Sequence, residues 1–253
     1  MSMRRILKFL NNFFFYFLRN PFILYLVGII RFYFFMIFYG VKTIESNENI
    51  TDSNKHNLEI FDKNKIGLDF LMLRFDRLLY SVLANERFDK NSNILVIGNR
   101  SESDLLKIRS FGYKKITAID LISYSPLVTL MDAHNMTFVE NTFDVIFLPY
   151  VLPYSKNPSL LAKNIVKVSK PGSIVAVAIA YDEKQKIKSA EDIKNIFTPF
   201  INNVNFIYDG ELKLYENSFA NNNSGIKNNE YSKLRDITGL DASSIILTFT
   251  IKK

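Results

Sequence analysis

The sequence predicts an α/β fold in which a doubly wound, mostly parallel β-sheet follows hydrophobic N-terminal helices. Two observations support this fold class. From residue 93 onward, short runs rich in Val, Ile and Leu alternate with amphipathic segments, a pattern typical of parallel strands covered by helices on both faces. Before residue 43 the chain is almost continuously aromatic and aliphatic. The length of 253 residues suits one sizeable core with an appendage.

The N-terminal block, residues 1–42, is hydrophobic and basic. Its second apolar run, residues 21–40, has about the length of a membrane-spanning helix, roughly 20 residues, but Arg31 lies in its middle. A central Arg costs about 2.5–3.5 kcal/mol on insertion scales. Three interpretations stay open: a span, an interfacial hairpin broken at Asn20 and Pro21, or helices that pack on the domain or on another subunit. A cleaved signal peptide is not expected, because the apolar stretch is too long.

The net charge of +7 is concentrated in this block. Six basic residues precede the first acidic one, Glu45, and they are Arg4, Arg5, Lys8, Arg19, Arg31 and Lys42. Without them, 26 basic residues face 25 acidic ones. A basic segment rich in aromatic residues favours an anionic membrane surface over nucleic acid. We therefore expect a cytoplasmic protein that is peripheral to the membrane or anchored there by its N-terminus.

The middle of the chain contains a predicted linker, one or two helices and the start of the α/β pattern. Residues 43–57 are polar and aperiodic, which predicts a linker, and residues 58–253 form the predicted domain. Apolar residues recur at helical spacing over residues 58–88, which indicates one or two helices. A buried strand over residues 93–98, a helix over 101–112 and a second strand over 114–121 then make a β-α-β unit.

The alternation continues to residue 251 and brings the predicted strands to seven. The further strands are predicted over residues 125–132, 143–150, 171–180, 204–208 and 244–251, and the further helices over residues 157–170 and 189–200.

Informative residues follow successive strands, where ligands bind in open parallel sheets. Gly98, Asn99 and Arg100 follow the first strand and open a helix whose N–H groups favour an anion. Asp120 follows the second, about 22 residues later. The later strand ends carry Asp132, Ala133, Leu148 and Tyr150. Each of these residues also has a plain structural interpretation as a turn, a helix cap or a packing residue, but their recurrence at strand ends predicts a ligand site.

The sequence offers little for metal chemistry. It has no cysteine, and its two histidines, His56 and His134, lie far apart. Disulfides, cysteine nucleophiles and thiolate zinc sites are excluded, and no metal site is expected.

Two stretches carry a resemblance to a known family. They are NILVIGNRSESDLLKIRSFGYKKITAIDL, from residue 93, and MDAHNMTFVENTFDVIFLPYVLPYSKNPSLLAKNIVKVSKPGSIVAVAI, from residue 131. Together they resemble the class I S-adenosylmethionine-dependent methyltransferases, specifically the type 11-like group. The resemblance implies a Rossmann-like, seven-stranded sheet with an antiparallel last strand, and S-adenosylmethionine as the cofactor.

The same resemblance implies a role for each strand-end residue. Gly98, Asn99 and Arg100 would lie near the methionine end of the cofactor, and Asp120 would bind the ribose. Leu121, Ala133 and Leu148 would line the pocket, the first two against the adenine ring, while Asp132 would accept from the adenine amino group.

The first loop departs from the family pattern. Val96 replaces the usual acidic residue, and Arg100 and Glu102 stand at expected glycine positions, which removes close backbone approach and access to positive φ. Two interpretations stay open. Either Arg100 pairs with the methionine carboxylate or with Glu102 in a variant loop, or the site is degenerate.

Tyr150 and His134 are the candidate general bases, because they are polar side chains near the expected methyl group. A base is needed only for a poorly acidic acceptor, since the sulfonium itself activates the methyl group. The predicted function is methyl transfer to a small-molecule, sugar or lipid-linked acceptor, such as a glycolipid, at a membrane surface. The alternative is a non-catalytic Rossmann-like binding module. A nicotinamide-dependent oxidoreductase is disfavoured, because the chain lacks G-x-G-x-x-G.

Overall fold

The computed structural model describes residues 15–44, 74–85, 88–99, 101–180, 185–209 and 244–252. The helices within them are α1 (Pro21–Tyr39), α2 (Arg74–Leu83), α3 (Ser103–Ser110), α4 (Pro158–Val168) and α5 (Ala190–Phe197). The strands within them are β1 (Lys42–Thr43), β2 (Ile94–Ile97), β3 (Ile116–Asp120), β4 (Ile122–Ser123), β5 (Val128–Leu130), β6 (Phe143–Pro149), β7 (Ser169–Ala180), β8 (Ile201–Asp209) and β9 (Ser244–Ile251).

Seven of these strands form one sheet in the order β5-β3-β2-β6-β7-β9-β8. The β2-β3, β3-β5 and β6-β7 pairs are parallel, whereas β9 runs antiparallel to both β7 and β8. The predicted fold class is confirmed: the sheet is mostly parallel, seven-stranded and Rossmann-like, and its last strand in sequence is the antiparallel one.

The chain divides into two compact units. The first comprises Met1–Met72 and Arg87–Met136, and the second comprises Leu73–Glu86 and Thr137–Lys253. In the first unit, β2 is buried along its whole length, as expected for a strand between helical layers. In the second unit, β9 is likewise buried at every position.

Several elements are shorter or longer than the sequence predicts, and local hydrogen bonds explain one of the differences. The third sheet strand was expected from residue 125 but begins at Val128. The backbone N–H groups of Ser125 and Leu127 donate to the hydroxyls of Ser123 and Ser125, at 3.1 and 3.0 Å, so this stretch turns. Helix α4 ends at Val168, and β7 already begins at Ser169, whose backbone is extended.

Helix α1 begins where the sequence predicts a break. Oδ1 of Asn20 accepts hydrogen bonds from the backbone N–H groups of Phe22 and Ile23, at 2.9 and 3.3 Å. Pro21 occupies the first helical position, where its missing N–H costs nothing. Among the described helices, α1 is the one long and apolar enough to cross a membrane by length and composition.

The segment after α1 adds a pairing that the sequence does not predict. Strand β1 pairs antiparallel with β4, with Lys42 opposite Ser123 and Thr43 opposite Ile122. The predicted linker and helices continue over residues 45–73, which lie outside the described residues.

Candidate cofactor-binding site

In the first unit, the carboxyl ends of β2, β3 and β5 meet at one edge. The backbone N–H of Gly98 donates to the carbonyl of Ile119 at 2.9 Å, and that of Met131 donates to the carbonyl of Asp120 at 3.0 Å. Gly98 has φ +84°, a conformation that favours glycine. The structure therefore brings the predicted residues after these three strands to adjacent positions.

Asn99 places a buried hydrogen-bond donor in the loop after β2. Asn99 is 2% exposed, and its Nδ2 makes no hydrogen bond within the described part of the chain. Such a donor normally has a partner, so this loop can accept an oxygen ligand beside Gly98. Arg100, the third residue predicted here, lies outside the described residues.

Asp120 ends β3 with its carboxylate turned back onto the chain. Oδ1 accepts from the backbone N–H of Leu121 at 2.6 Å and from that of Ile122 at 3.2 Å. This turn fixes the direction of the side chain. The carbonyl of Leu121 accepts from the backbone N–H of Ile44 at 3.0 Å, which ties the segment after α1 to the same edge.

Asp132 and His134 form a local pair beside buried Ala133. Oδ1 of Asp132 accepts from the backbone N–H of His134 and lies 2.8 Å from its Nδ1. Because a carboxylate only accepts, Nδ1 carries the proton and Nε2 is the basic ring atom of a neutral imidazole. Ala133 is 8% exposed and begins a short turn of 3₁₀-helix.

One ion pair next to this loop is not predicted from the sequence. Glu102, directly before α3, has no exposed side-chain surface and binds Arg31 of α1. Nε of Arg31 donates to Oε2, and Nη2 donates to Oε1 at 3.0 Å. The hydroxyl of Ser125 donates to the same carboxylate. The sequence signal for this pair is Arg31 itself, the one charged residue within the apolar run of residues 21–40. In the sequence this charge is interpreted only through its cost of insertion into a membrane.

This pair changes the electrostatics around it. The hydrogen bonds to Glu102 raise the pKa of Arg31 above its usual value, against the desolvation that burial imposes. Desolvation, with the nearby charge of Arg31, lowers the pKa of Arg109, while Glu102 opposes that shift. The Glu102 carboxylate therefore lies among cations inside the first unit.

The second unit carries the two predicted residues at the end of β6. Leu148 is completely buried. Tyr150 has φ +57°, which is rare for a residue with a side chain. Its Oη lies 2.8 Å from Oγ of Ser244, and its backbone N–H donates to the carbonyl of Ala178 at 2.8 Å.

Comparison with known proteins finds a family model that matches part of the chain. Residues 98–177 match the family model described as a methyltransferase domain. This range contains the loop after β2, the ends of β3 and β5, and most of β7. No curated protein sequence matches the chain.

Solved structures share the fold at low sequence identity. A chain in the complex between the Haloferax volcanii Trm112 methyltransferase activator and a candidate methyltransferase superposes with TM-score 0.54 and 10% identity, covering 81% of this chain and 97% of that one. Haemonchus contortus phosphoethanolamine N-methyltransferase 2, in complex with phosphomonomethylethanolamine and S-adenosylhomocysteine, superposes with TM-score 0.49 and 18% identity. The match covers 70% of this chain and 52% of that one. N-methyltransferase NodS from Bradyrhizobium japonicum, in complex with S-adenosylhomocysteine, superposes with TM-score 0.47 and 16% identity. The match covers 70% of this chain and 87% of that one.

The family match lies on the strand ends described above, and the sheet order and the antiparallel last strand agree with the fold of the Haloferax volcanii complex. The chain therefore matches a methyltransferase domain over residues 98–177 and has a Rossmann-like fold.

Proposed function

We propose that this methyltransferase works at an anionic membrane surface, where it methylates a small-molecule, sugar or lipid-linked acceptor. The observation that carries the proposal is the division of α1 into two faces. One face packs on the first unit, and the other is a row of large apolar side chains in contact with solvent.

The packed face holds α1 firmly. Leu24 and Phe32 are 2% and 3% exposed, and they share a core cluster with Leu106 of α3 and with Tyr124. The rings of Phe32 and Tyr124 meet edge to face with centroids 4.9 Å apart. Burial of these side chains accounts for the docking of the helix on the domain.

The opposite face, here called the exposed face, is apolar for several turns. Its side chains are each more than 40% exposed and are Phe22, Leu26, Ile30, Tyr33, Phe34, Ile37 and Phe38. Soluble proteins rarely leave such a continuous patch uncovered. Aromatic and aliphatic side chains at this spacing suit the headgroup and acyl boundary of a bilayer.

Charge favours lipid as the occupant of the exposed face. Arg19 and Lys42 flank α1 and are exposed, and three more basic residues, Arg4, Arg5 and Lys8, precede it in the sequence. Cations that flank an apolar surface attract anionic headgroups. A second copy of this chain would bring the same charges together, which is unfavourable.

The pair between Arg31 and Glu102 supports an orientation along the membrane plane. Arg31 lies next to the midpoint of α1, and its partner is fully buried in the first unit. If α1 crossed the bilayer, the midpoint would lie in hydrocarbon, where separating this pair is costly. We therefore propose that α1 lies on the membrane with its exposed face inserted.

A flotation assay tests the membrane part. Full-length protein is mixed with phosphatidylcholine vesicles, with or without 30% phosphatidylglycerol, and floated through a density gradient. We expect flotation with the anionic vesicles and its loss in the triple variant Phe34→Ser, Ile37→Ser and Phe38→Ser. The matched control changes exposed residues on α4, with Leu160→Ser and Lys163→Ser. If wild-type protein stays at the bottom and forms dimers that the triple variant abolishes, the exposed face is an interface between copies.

The residues at the strand ends fit the cofactor. S-adenosylmethionine supplies a methyl group already activated on sulfur. We propose that Asn99 Nδ2 donates to the methionine carboxylate and that Asp120 accepts from the ribose hydroxyls. In the same proposal Asp132 accepts from the adenine amino group, and Leu121 and Ala133 are the apolar lining. The buried donor of Asn99, which has no partner within the described part of the chain, supports this orientation.

The acceptor class is tested by following the methyl group. Full-length protein is incubated with methyl-labelled S-adenosylmethionine and a membrane lipid extract, and the products are partitioned between organic and aqueous phases. Label in the organic phase that depends on the protein identifies a lipid-linked acceptor, and label in a water-soluble product identifies a small molecule or free sugar. Absence of S-adenosylmethionine binding by folded protein in titration calorimetry would contradict the proposed site.

A further inference from the structure

We infer that the ion pair between Arg31 and Glu102 orders the cofactor loop, residues 98–102, and makes that loop depend on the docking of α1. Arg31 is therefore a positioning residue for cofactor binding, acting through Glu102. The inference rests on the proposed position of the methionine end beside Gly98 and Asn99.

Glu102 occupies a position that controls the loop. It lies three residues after Asn99 and directly before α3, and its carbonyl accepts the backbone N–H of Leu106 at 2.9 Å, so it begins the helix. Its own carboxylate makes no capping bond to α3. The carboxylate instead binds Arg31 and Ser125, and its backbone N–H faces the hydroxyl of Tyr124 at 3.4 Å.

A buried carboxylate at this place requires its partner. The side chain of Glu102 is 0% exposed, whereas that of Arg31 is 33% exposed. Loss of the guanidinium would remove the bidentate partner of a buried carboxylate, which then either takes up a proton or draws the surrounding backbone aside to admit water. The backbone that would move is the loop that carries Asn99.

Arg19, two residues before α1, provides a matched comparison. Nε of Arg19 donates to the carbonyl of Ser110 at 3.1 Å, and its guanidinium lies 4.5 Å from the ring centre of Phe111. Arg19 therefore docks at the C-terminal end of α3, and Arg31 docks at the N-terminal end. Both residues link α1 to the same helix, but Arg31 is the one bonded to the residue that begins it.

The test compares Arg31→Met, Arg19→Met, Glu102→Gln and the double variant Arg31→Met with Glu102→Gln. Amide hydrogen exchange over residues 101–106 is measured without cofactor, and the dissociation constant for S-adenosylmethionine is measured by calorimetry well below the melting temperature. Arg31→Met should exchange faster in this segment and bind about tenfold more weakly or worse. Arg19→Met should match wild type in both, and the double variant should bind within about threefold of Glu102→Gln alone.

Other outcomes overturn the inference. If Arg31→Met keeps wild-type exchange and affinity, the pair only docks α1. If Arg19→Met weakens binding as much as Arg31→Met, the loop depends on docking in general and not on this pair. If wild type binds no cofactor, the proposed function fails, while the exchange data still decide whether Arg31 orders the start of α3.

Discussion

Oη of Tyr150 lies 2.8 Å from Oγ of Ser244, which joins the end of β6 to the start of β9 within the second unit. Tyr150 keeps φ +57° there, a conformation that costs on the order of 1–3 kcal/mol and persists only where surrounding contacts impose it. The bond to Ser244 and the backbone bond to Ala178 are such contacts. Strained residues of this kind cluster at functional sites.

Two substitutions distinguish the role of the Tyr150 phenol from that of its hydrogen bond to Ser244. If Tyr150 accepts the proton of the methyl acceptor, Tyr150→Phe should lower kcat by about a hundredfold or more and leave the affinity for S-adenosylmethionine unchanged. Ser244→Ala removes the same hydrogen bond but keeps the phenol, so its kcat should stay within about threefold of wild type. Release of S-adenosylhomocysteine with lipid extract measures both. Equal activity of Tyr150→Phe and wild type would exclude this role, leaving His134 as the candidate base.

Replacement of Asn99 should raise the stability of the cofactor-free protein and weaken cofactor binding. Asn99→Leu removes a buried donor that has no partner within the described part of the chain, and such a donor costs about 1–3 kcal/mol. The melting temperature of the cofactor-free variant should therefore rise by a few degrees, while its affinity for S-adenosylmethionine should fall about tenfold or more. Differential scanning calorimetry and titration calorimetry measure the two effects.

Two controls assign the Asn99 effect to the methionine end of the cofactor. Ser173→Ala removes another buried polar atom that has no partner among the described residues, but on β7, so affinity should not change. 5′-Methylthioadenosine keeps the nucleoside and lacks the amino-acid end, so Asn99→Leu should bind it like wild type. A loss of equal size for both ligands would place Asn99 elsewhere in the site.

Local features made much of the fold predictable. Strand β2 is a continuous apolar run, β3 and β6 are mostly apolar, and Gly98 marks a turn by its own conformational freedom, so neighbouring residues suffice to predict them. Asp120 and Asp132 were predicted because they follow such runs. What their side chains bind in the cofactor stays a prediction.

Pairs between distant residues were not predictable in this way. Arg31 and Glu102 are 71 residues apart in sequence, and Tyr150 and Ser244 are 94 apart. No periodicity selects such partners. One of the open interpretations pairs Glu102 with Arg100, its nearest cation in sequence, which lies outside the described residues. The structure adds Arg31, which the docking of α1 brings to the carboxylate. The turn at Ser125 was missed because hydroxyl bonds to the backbone compete with strand formation.

Asp192 should make stability depend on pH at the start of α5. Ser189 and Asp192 cap this helix reciprocally: Oγ of Ser189 accepts the N–H of Asp192 at 3.1 Å, and Oδ2 of Asp192 accepts the N–H groups of Lys188 and Ser189 at 3.0 Å. Burial alone would raise the pKa of Asp192, but these hydrogen bonds outweigh it and lower the pKa below its usual 3.8. The stabilisation is therefore present above pH 3.8 and is lost as pH falls through the folded-state value.

Urea unfolding at two pH values measures this contribution. Asp192→Asn should lower the free energy of unfolding by about 1 kcal/mol at pH 7, and the difference from wild type should shrink at pH 3. Glu191→Gln is the control, because Glu191 lies in the same helical turn and pairs across the surface with Lys194 at 3.3 Å, which stabilises little. A difference for Asp192→Asn that is the same at both pH values would contradict the capping role of the carboxylate.

Asp120 should bind the nucleoside part of the cofactor, in contrast to Asn99. Asp120→Asn keeps an oxygen that can accept the backbone N–H groups of Leu121 and Ile122, so the turn should survive. A hydrogen bond to a charged acceptor contributes about 1.5–3 kcal/mol, and its loss should weaken S-adenosylmethionine and 5′-methylthioadenosine alike, by roughly tenfold to a hundredfold. Asp144→Asn is the control, because it breaks an ion pair with Lys170 at 2.7 Å near the start of β6. It should change the affinity for neither ligand. Unchanged affinity of Asp120→Asn for both ligands would show that Asp120 only shapes the turn.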